Sequence, residues 1–375
     1  MFKRWLLADL ALCGLLGAAV ALARGQWVAY VAGGEFRLAD GWRDAAVIAC
    51  IVVILRAADL ALCGLATPCG AARPSRRNLI ALARLALVSL VAAPLLMALA
   101  QFCPQRVHSS VTPADLGLGY EAVTIDSDGL RLAAWHIPAE SPDRPVVLIS
   151  HGLGVNKAAF LHAAQLMHDL GYHVLIFDFR AHGESDGRVT TFGYLEAADV
   201  RAARSWIARR YTGKPVFGLG YSMGAAALLR AAGEGVVFDG LIVDSAFARA
   251  EDVARGSLLR ALGPLRTPAW HAGRFWGWVL TGADLADHQP VRCMAGLAGC
   301  PVFLIHGAAD SMIPCEHSRQ LQRACGDNAR LWLPPDAGHT QAALCNPEYA
   351  GRIADFIETI RSATRRSGAA PTNTP

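Results

Sequence analysis

Charge is in short supply in this chain. Acidic and basic residues make up 18% of its 375 residues, and the net charge is only +4. No basic run points to a nucleic-acid partner. Metal spacing is missing as well: none of the ten cysteines forms a CxxC pair, which argues against zinc. No clear set of acidic residues is available to hold a free amino terminus, as a peptidase that recognises one needs. What the chain has instead is apolar surface. Hydrophobic residues make up 53%, and the mean hydropathy of +0.30 is high for a soluble enzyme.

The excess lies at the front. Residues 5–23 are apolar apart from Asp9, 45–66 apart from Arg56 and Asp59, and 79–102 apart from Arg84 and Gln101. Each stretch is long enough to cross a bilayer as a helix, which takes about 20 residues. Three in succession point to a multi-pass membrane region over 1–105 rather than to one secretion signal. Lys3, Arg4, Arg73, Arg76 and Arg77 lie in segments that this arrangement keeps inside, so the C-terminal domain falls outside. Arg24, Arg37 and Arg43 weaken that bias, and without a spanning second stretch the domain moves to the cytoplasmic side. The eight residues Ala8–Leu15 recur letter for letter as Ala58–Leu65. Local duplication in an Ala/Leu-rich region is the simpler reading; a facing Asp9–Asp59 pair is the alternative.

Beyond a turn-rich linker at 106–120, the pattern changes. Glu121 to Ala139 alternates around Ser127-Asp128-Gly129, a hairpin signature. Short apolar runs at 145–150, 173–179, 215–221, 241–243, 301–305 and 330–333 read as buried strands, with helical spacing between most of them. Such alternation gives a mainly parallel sheet covered on both faces, with ligands bound beyond the carboxyl ends of its strands.

Pro215 to Ala227 holds the sharpest signal. An apolar strand runs into Gly220-Tyr221-Ser222-Met223-Gly224 and then into an Ala/Leu-rich helix former. A strand turning this sharply into a helix presents the serine hydroxyl at the rim of the sheet, and the flanking glycines avoid collisions with neighbouring backbone. A serine needs a base, and the base needs an orienting carboxylate. Asp310 leaves the 301–305 strand in a Gly-containing turn, and His339 follows Gly338 after the last strand. Ser222, Asp310 and His339 are therefore the expected nucleophile, acid and base. Asp244, directly after the 241–243 strand, is the alternative acid. The backbone N–H groups of Met223 and Leu153 are the expected oxyanion donors. His151 has no second metal ligand at a suitable spacing and is read as a brace for its loop. The spacings Cys293/Cys300 and Cys315/Cys325 suit either short disulfide loops or free thiols.

Residues 121–362 resemble the α/β-hydrolase superfamily, most closely its serine aminopeptidase and monoacylglycerol-lipase-like branch. The resemblance is carried by His151-Gly152, the 178–185 segment, Gly220 to Gly224, Gly307 to Asp310, and Gly338-His339. Relatives carry Arg-Gly-His-Gly-x-Ser where this chain has Ala181 in place of the first glycine. The resemblance implies an α/β-hydrolase fold over 121–366, with a short cap at about 247–292 between strands 6 and 7; the residues at 367–375 read as a frayed tail. The resemblance implies serine hydrolysis but does not fix the substrate, since relatives cleave esters, thioesters, amides and lipids; the shortage of charge favours a small acyl ester or thioester, cleaved without a cofactor. Amide hydrolysis by a serine peptidase, or a non-catalytic membrane scaffold, are the alternatives. Within the cap, Leu258, Leu259, Leu262, Leu265, Trp270, Phe275, Trp276, Trp278 and Val279 serve either to bury the cap or to meet an acyl chain or the bilayer.

Overall fold

From residue 121 onward the strands join one sheet. A computed structural model describes residues 93–259, 263–264, 266–297 and 299–367. The apolar stretches 5–23 and 45–66, most of 79–102, the repeated octapeptide and most of the 367–375 tail lie outside the described residues. Among the described residues, no helix is long and apolar enough to cross a membrane.

The strands are β1 (Glu121–Ser127), β2 (Leu130–Ile137), β3 (Val146–Ser150), β4 (His173–Phe177), β5 (Val216–Tyr221), β6 (Gly240–Asp244), β7 (Val302–Ile305) and β8 (Ala329–Trp332). Their order is β1-β2-β4-β3-β5-β6-β7-β8. β1 and β2 form the expected hairpin, closed by Asp128 and Gly129, both at positive φ, as a two-residue turn requires. β2 also pairs antiparallel with β4, and every pairing from β4 to β8 is parallel. The helices of nine residues or more are α1 (Ala93–Phe102), α2 (Leu161–Asp169), α3 (Glu196–Arg210), α4 (Met223–Gly233), α5 (Arg266–Thr281), α6 (Glu316–Cys325) and α7 (Tyr349–Ser367).

Strand residues alternate between two cores. Val146 and Leu148 of β3 join the side covered by α3 and α4, while Val147 and Ile149 join α2 and α7. Each such buried Val, Leu or Ile contributes about 1.5–3 kcal/mol relative to exposure. A one-residue slip of β3 would exchange its two faces, so the register is fixed. The carboxyl ends of β3, β5, β6 and β7 therefore meet at one rim.

The β6–β7 connection carries the cap. Trp270 and Leu259 are buried there, whereas Phe275, Trp278 and Val279 stand on one exposed face of α5, at 54%, 54% and 49% exposure. Leu262, Leu265 and the side chain of Leu258 lie outside the described residues. α1, the end of the third apolar stretch, packs directly on α5. A Cβ added to Gly277 would stand 2.6 Å from the Phe102 ring. The segment after α1 has little regular structure, yet it is strapped to the domain. Arg106 donates to the carbonyls of Gly183, Ser185 and Gly187, and Val107 and Leu118 are buried.

All six described cysteines are free thiols, including both pairs whose spacing suited a disulfide. Cys315 immediately precedes α6 and Cys325 ends it, so the ten-residue helix holds them about 15 Å apart. Burial pushes the Cys300 thiol up to about 12, which leaves it unreactive.

Candidate active site

The strand-to-helix turn forms as its residues dictate. Ser222 sits between β5 and α4 at φ 51° and ψ −112°, a conformation costing on the order of 1–3 kcal/mol. Its N–H donates to the Asp244 carbonyl of β6 at 2.9 Å, which ties the turn to the neighbouring strand. The glycines on either side are required by contact. A Cβ on Gly220 would lie 2.7 Å from the Ala225 backbone, and one on Gly224 would overlap the carbonyl oxygens of Ser150 and His151. Backbone cannot yield as a flexible side chain would. Gly224→Ala should therefore lower stability by about 2 kcal/mol or more, read as a fall in the urea midpoint. A midpoint matching that of the parent chain would refute this close approach.

Asp310 and His339 reach the serine from two interlocked loops. The N–H of Ala308 donates to the Pro334 carbonyl and that of Ala309 to the Ala337 carbonyl, and a Cβ on Gly307 would overlap the same Ala337 oxygen. The loop after β7 is thus pinned against the loop after β8. Asp310 Oδ1 accepts from the N–H groups of Met312 and Ile313 at 2.9 and 2.8 Å. Its Oδ2 lies 2.7 Å from His339 Nδ1, and His339 Nε2 lies 3.0 Å from Ser222 Oγ. Burial acts to raise the Asp310 pKa, but donation from His306 and His339 and the Ile313 N–H outweigh it and hold the carboxyl well below the usual range. An ionised Asp310 accepts from Nδ1–H. Nε2 is then left unprotonated, free to accept the serine proton.

The loop after β3 passes alongside. A Cβ on Gly152 would stand 3.6 Å from Ser222 Cβ, so the chain at Gly152-Leu153 runs beside the hydroxyl, opposite the start of α4 at Met223. His151 braces this loop: Nε2 accepts from the Phe179 N–H at 3.0 Å, and Nδ1 donates to the Gly152 carbonyl at 2.7 Å. Burial, then the nearby His182, hold His151 well below the usual histidine range, so it stays neutral. The 178–185 segment continues the bracing. His182 Nε2 accepts from the Gly154 N–H, and Asp178 gathers the N–H groups of Lys157 and Glu184 together with the Lys157 ammonium. Ala181, standing where relatives carry glycine, adopts φ 63°.

Asp244, the alternative acid, turns elsewhere. It accepts from Ser245 Oγ and Tyr349 OH, and its carboxyl is pushed up to about 6, chiefly by burial. Among the described residues, no group of three metal-ligating side chains gathers at a metal spacing.

With this geometry in place, comparison with known proteins becomes specific. The model of the alpha/beta hydrolase family matches residues 146–356, more than half of the chain. The chain belongs to the alpha/beta hydrolase family. An uncharacterised Mycobacterium tuberculosis family relative, Rv2307c, is 29% identical over 261 residues, covering 69% of this chain and 82% of its own length. The Danio rerio lysophosphatidylserine lipase ABHD12 is 26% identical over 200 residues, about half of each chain. Among solved structures, the Pyrococcus furiosus esterase Pf2001 is 27% identical, with a TM-score of 0.58, and is covered over 98% of its length against 69% of this chain. This alpha/beta hydrolase therefore has esterase and lipase relatives, and its residues 1–145 and 357–375 fall outside the matched family region.

Proposed function

We propose that this chain is a membrane-anchored serine hydrolase that cleaves an ester or thioester through an acyl-enzyme. The hydrogen-bonded succession Asp310–His339–Ser222 at the sheet rim carries the reading. Ser222 Oγ attacks the acyl carbonyl while His339 Nε2 takes its proton. The N–H groups of Met223 and Leu153 receive the oxyanion, aided by the N-terminal end of α4. His339 then gives its proton to the leaving oxygen or sulfur. Water, deprotonated by the same nitrogen, attacks the acyl-enzyme and frees Ser222.

An apolar cavity of about 80 Å³ between α1 and the cap supports an acyl substrate; Met97, Phe102, Phe192, Phe247, Trp270 and Gly273 help line it. Ser222 is not on its wall. Phe102 and Phe247 do, however, share a packed cluster with Ala226, whose N–H donates to the Ser222 carbonyl one helical turn away. The volume is roughly half that of an engineered cavity that admits benzene, so it suits a short acyl chain or the end of a longer one. A Cβ on Gly273 would meet nothing within 4 Å. Gly273→Leu should therefore start into open space at its Cβ, extend into the cavity that Gly273 lines, and favour the helix by roughly 0.5–1 kcal/mol. On a panel of p-nitrophenyl esters of rising chain length, set beside aminoacyl amides, the parent chain should turn over esters. Gly273→Leu should move the optimum to shorter chains. An unmoved optimum removes this cavity from substrate binding, and turnover of the amides alone replaces the esterase reading with a peptidase.

Membrane placement is the second part of the reading. It is supported by the three apolar stretches ahead of the domain and by α1, where the third of them ends against the cap. The exposed Phe275, Trp278 and Val279 face of α5 suits an interfacial position beside that segment. The catalytic domain is placed on the outer side, from the arginine bias. Resistance of the full chain to carbonate extraction and protease access to its C-terminus from outside test both points.

A further inference from the structure

Beneath the rim lies a chain of buried hydroxyl and carboxyl groups that the reaction scheme leaves unused. The Thr340 N–H, next to His339, donates to Ser245 Oγ at 3.0 Å. Ser245 Oγ–H donates to Asp244 Oδ1 at 2.8 Å, and the Tyr349 hydroxyl donates to Asp244 Oδ2 at 3.2 Å. The Tyr221 hydroxyl, on the residue before Ser222, lies 3.1 Å from that of Tyr349. Asp244, Ser245 and both tyrosines are buried. Ser245 (φ 56°) and Thr340 (φ 55°) each adopt a left-handed conformation that costs non-glycine residues energy and needs external support. The Ser245 N–H is itself held by the Ile305 carbonyl of β7 at 2.9 Å.

We infer that Asp244 and Ser245 are positioning residues for His339. Asp244 fixes the Ser245 hydroxyl, and that hydroxyl fixes the Thr340 backbone so that Nε2 stays aimed at Ser222. This inference rests on His339 being the base. The groups facing Asp244 are Ser245 on its own connection, Tyr221 from β5, Tyr349 from α7, His306 after β7 and His339 after β8, with Asp310 lying between the two histidines. Asp310 holds His339 directly, and Asp244 acts through the backbone one residue further along.

Ser245 allows an unusually clean test, because glycine accepts φ 56° without strain. Ser245→Gly removes the hydroxyl, whose two hydrogen bonds are lost, and relieves the backbone, which offsets part of that cost; a purely structural serine would change stability but leave turnover of the folded protein unchanged. Positioning instead predicts kcat of the folded protein lowered about tenfold with KM within about twofold, measured well below the melting temperature of the variant. Asp244→Asn keeps the shape and removes the charge. It should lower kcat with KM within about twofold, because the amide NH₂ group cannot accept, so asparagine cannot hold both hydroxyls that the carboxylate holds. Parental kcat in Ser245→Gly or in Asp244→Asn overturns the inference. Ser222→Ala assayed alongside separates the two levels. If it is inactive while Ser245→Gly is fully active, only the positioning role fails; if it is fully active, the hydrolase reading fails first.

Discussion

Ser222→Ala should reduce ester turnover by on the order of 10⁴–10⁶ while leaving the melting temperature within a few degrees of the parent. The two halves of this expectation have separate causes. In the proposed reaction Ser222 Oγ, hydrogen-bonded to His339 Nε2, forms the acyl bond, and alanine offers no oxygen in its place. The fold does not depend on that oxygen. The turn is held by the Ser222 N–H on the Asp244 carbonyl and by close backbone approach at Gly220 and Gly224, and alanine keeps all of these. Removing a polar group from a strained functional position can even raise stability slightly. A fluorophosphonate probe reads the chemistry without knowledge of the substrate. The parent chain should label covalently and the variant should not. Equal labelling of both would move the nucleophile elsewhere in the chain.

How much of this site could be read from letters depends on how locally each requirement is written. Gly220 and Gly224 are legible because a Cβ at either position meets backbone within the turn or at the neighbouring strand end. The Ser127–Leu130 hairpin is legible because its turn chemistry lies within four residues. Asp310 and His339 are legible as polar residues just past buried strands, where a parallel sheet gathers its ligands. Ser245 is not. Its partners are an adjacent carboxylate and a backbone N–H 95 residues away, and nothing in the string Asp244-Ser245-Ala246 announces a left-handed residue. Arg106 reads as a linker charge, yet it reaches three carbonyls nearly 80 residues further along. The spacing of Cys315 and Cys325 suited a closed loop only until the intervening residues formed α6. The cap divides in the same way: composition supplies its aromatic residues, but Trp270 turns inward against residues of α1 and of distant loops, such as Phe102 and Phe247, while Phe275 and Trp278 stay out.

The second large effect is expected at Asp310, and its sign reverses the logic of a simple ion pair. Asp310→Asn should lower kcat by on the order of 10³–10⁴ with little change in shape. An asparagine oxygen can keep both backbone N–H groups of Met312 and Ile313. Its amide then faces His339 Nδ1 as a donor. That nitrogen must become the acceptor, Nε2 carries the proton, and the ring can no longer take one from Ser222. The geometry survives and the tautomer is wrong. Stability should respond differently at different pH. Burial alone would raise the Asp310 pKa, but donors from His306, His339 and the loop backbone depress it below the ordinary 3.8. A carboxyl depressed by folding contributes stability that is fully present above its unfolded pKa and is lost as pH falls through its folded value. The parent should therefore outlast Asp310→Asn in urea at neutral pH, and the gap should close progressively as pH drops below about 4. Urea midpoints for both proteins at pH 7 and near pH 3 measure it directly. A gap that widens on acidification would mean that the carboxyl enters the folded state protonated, and an orienting carboxylate for His339 would have to be found elsewhere.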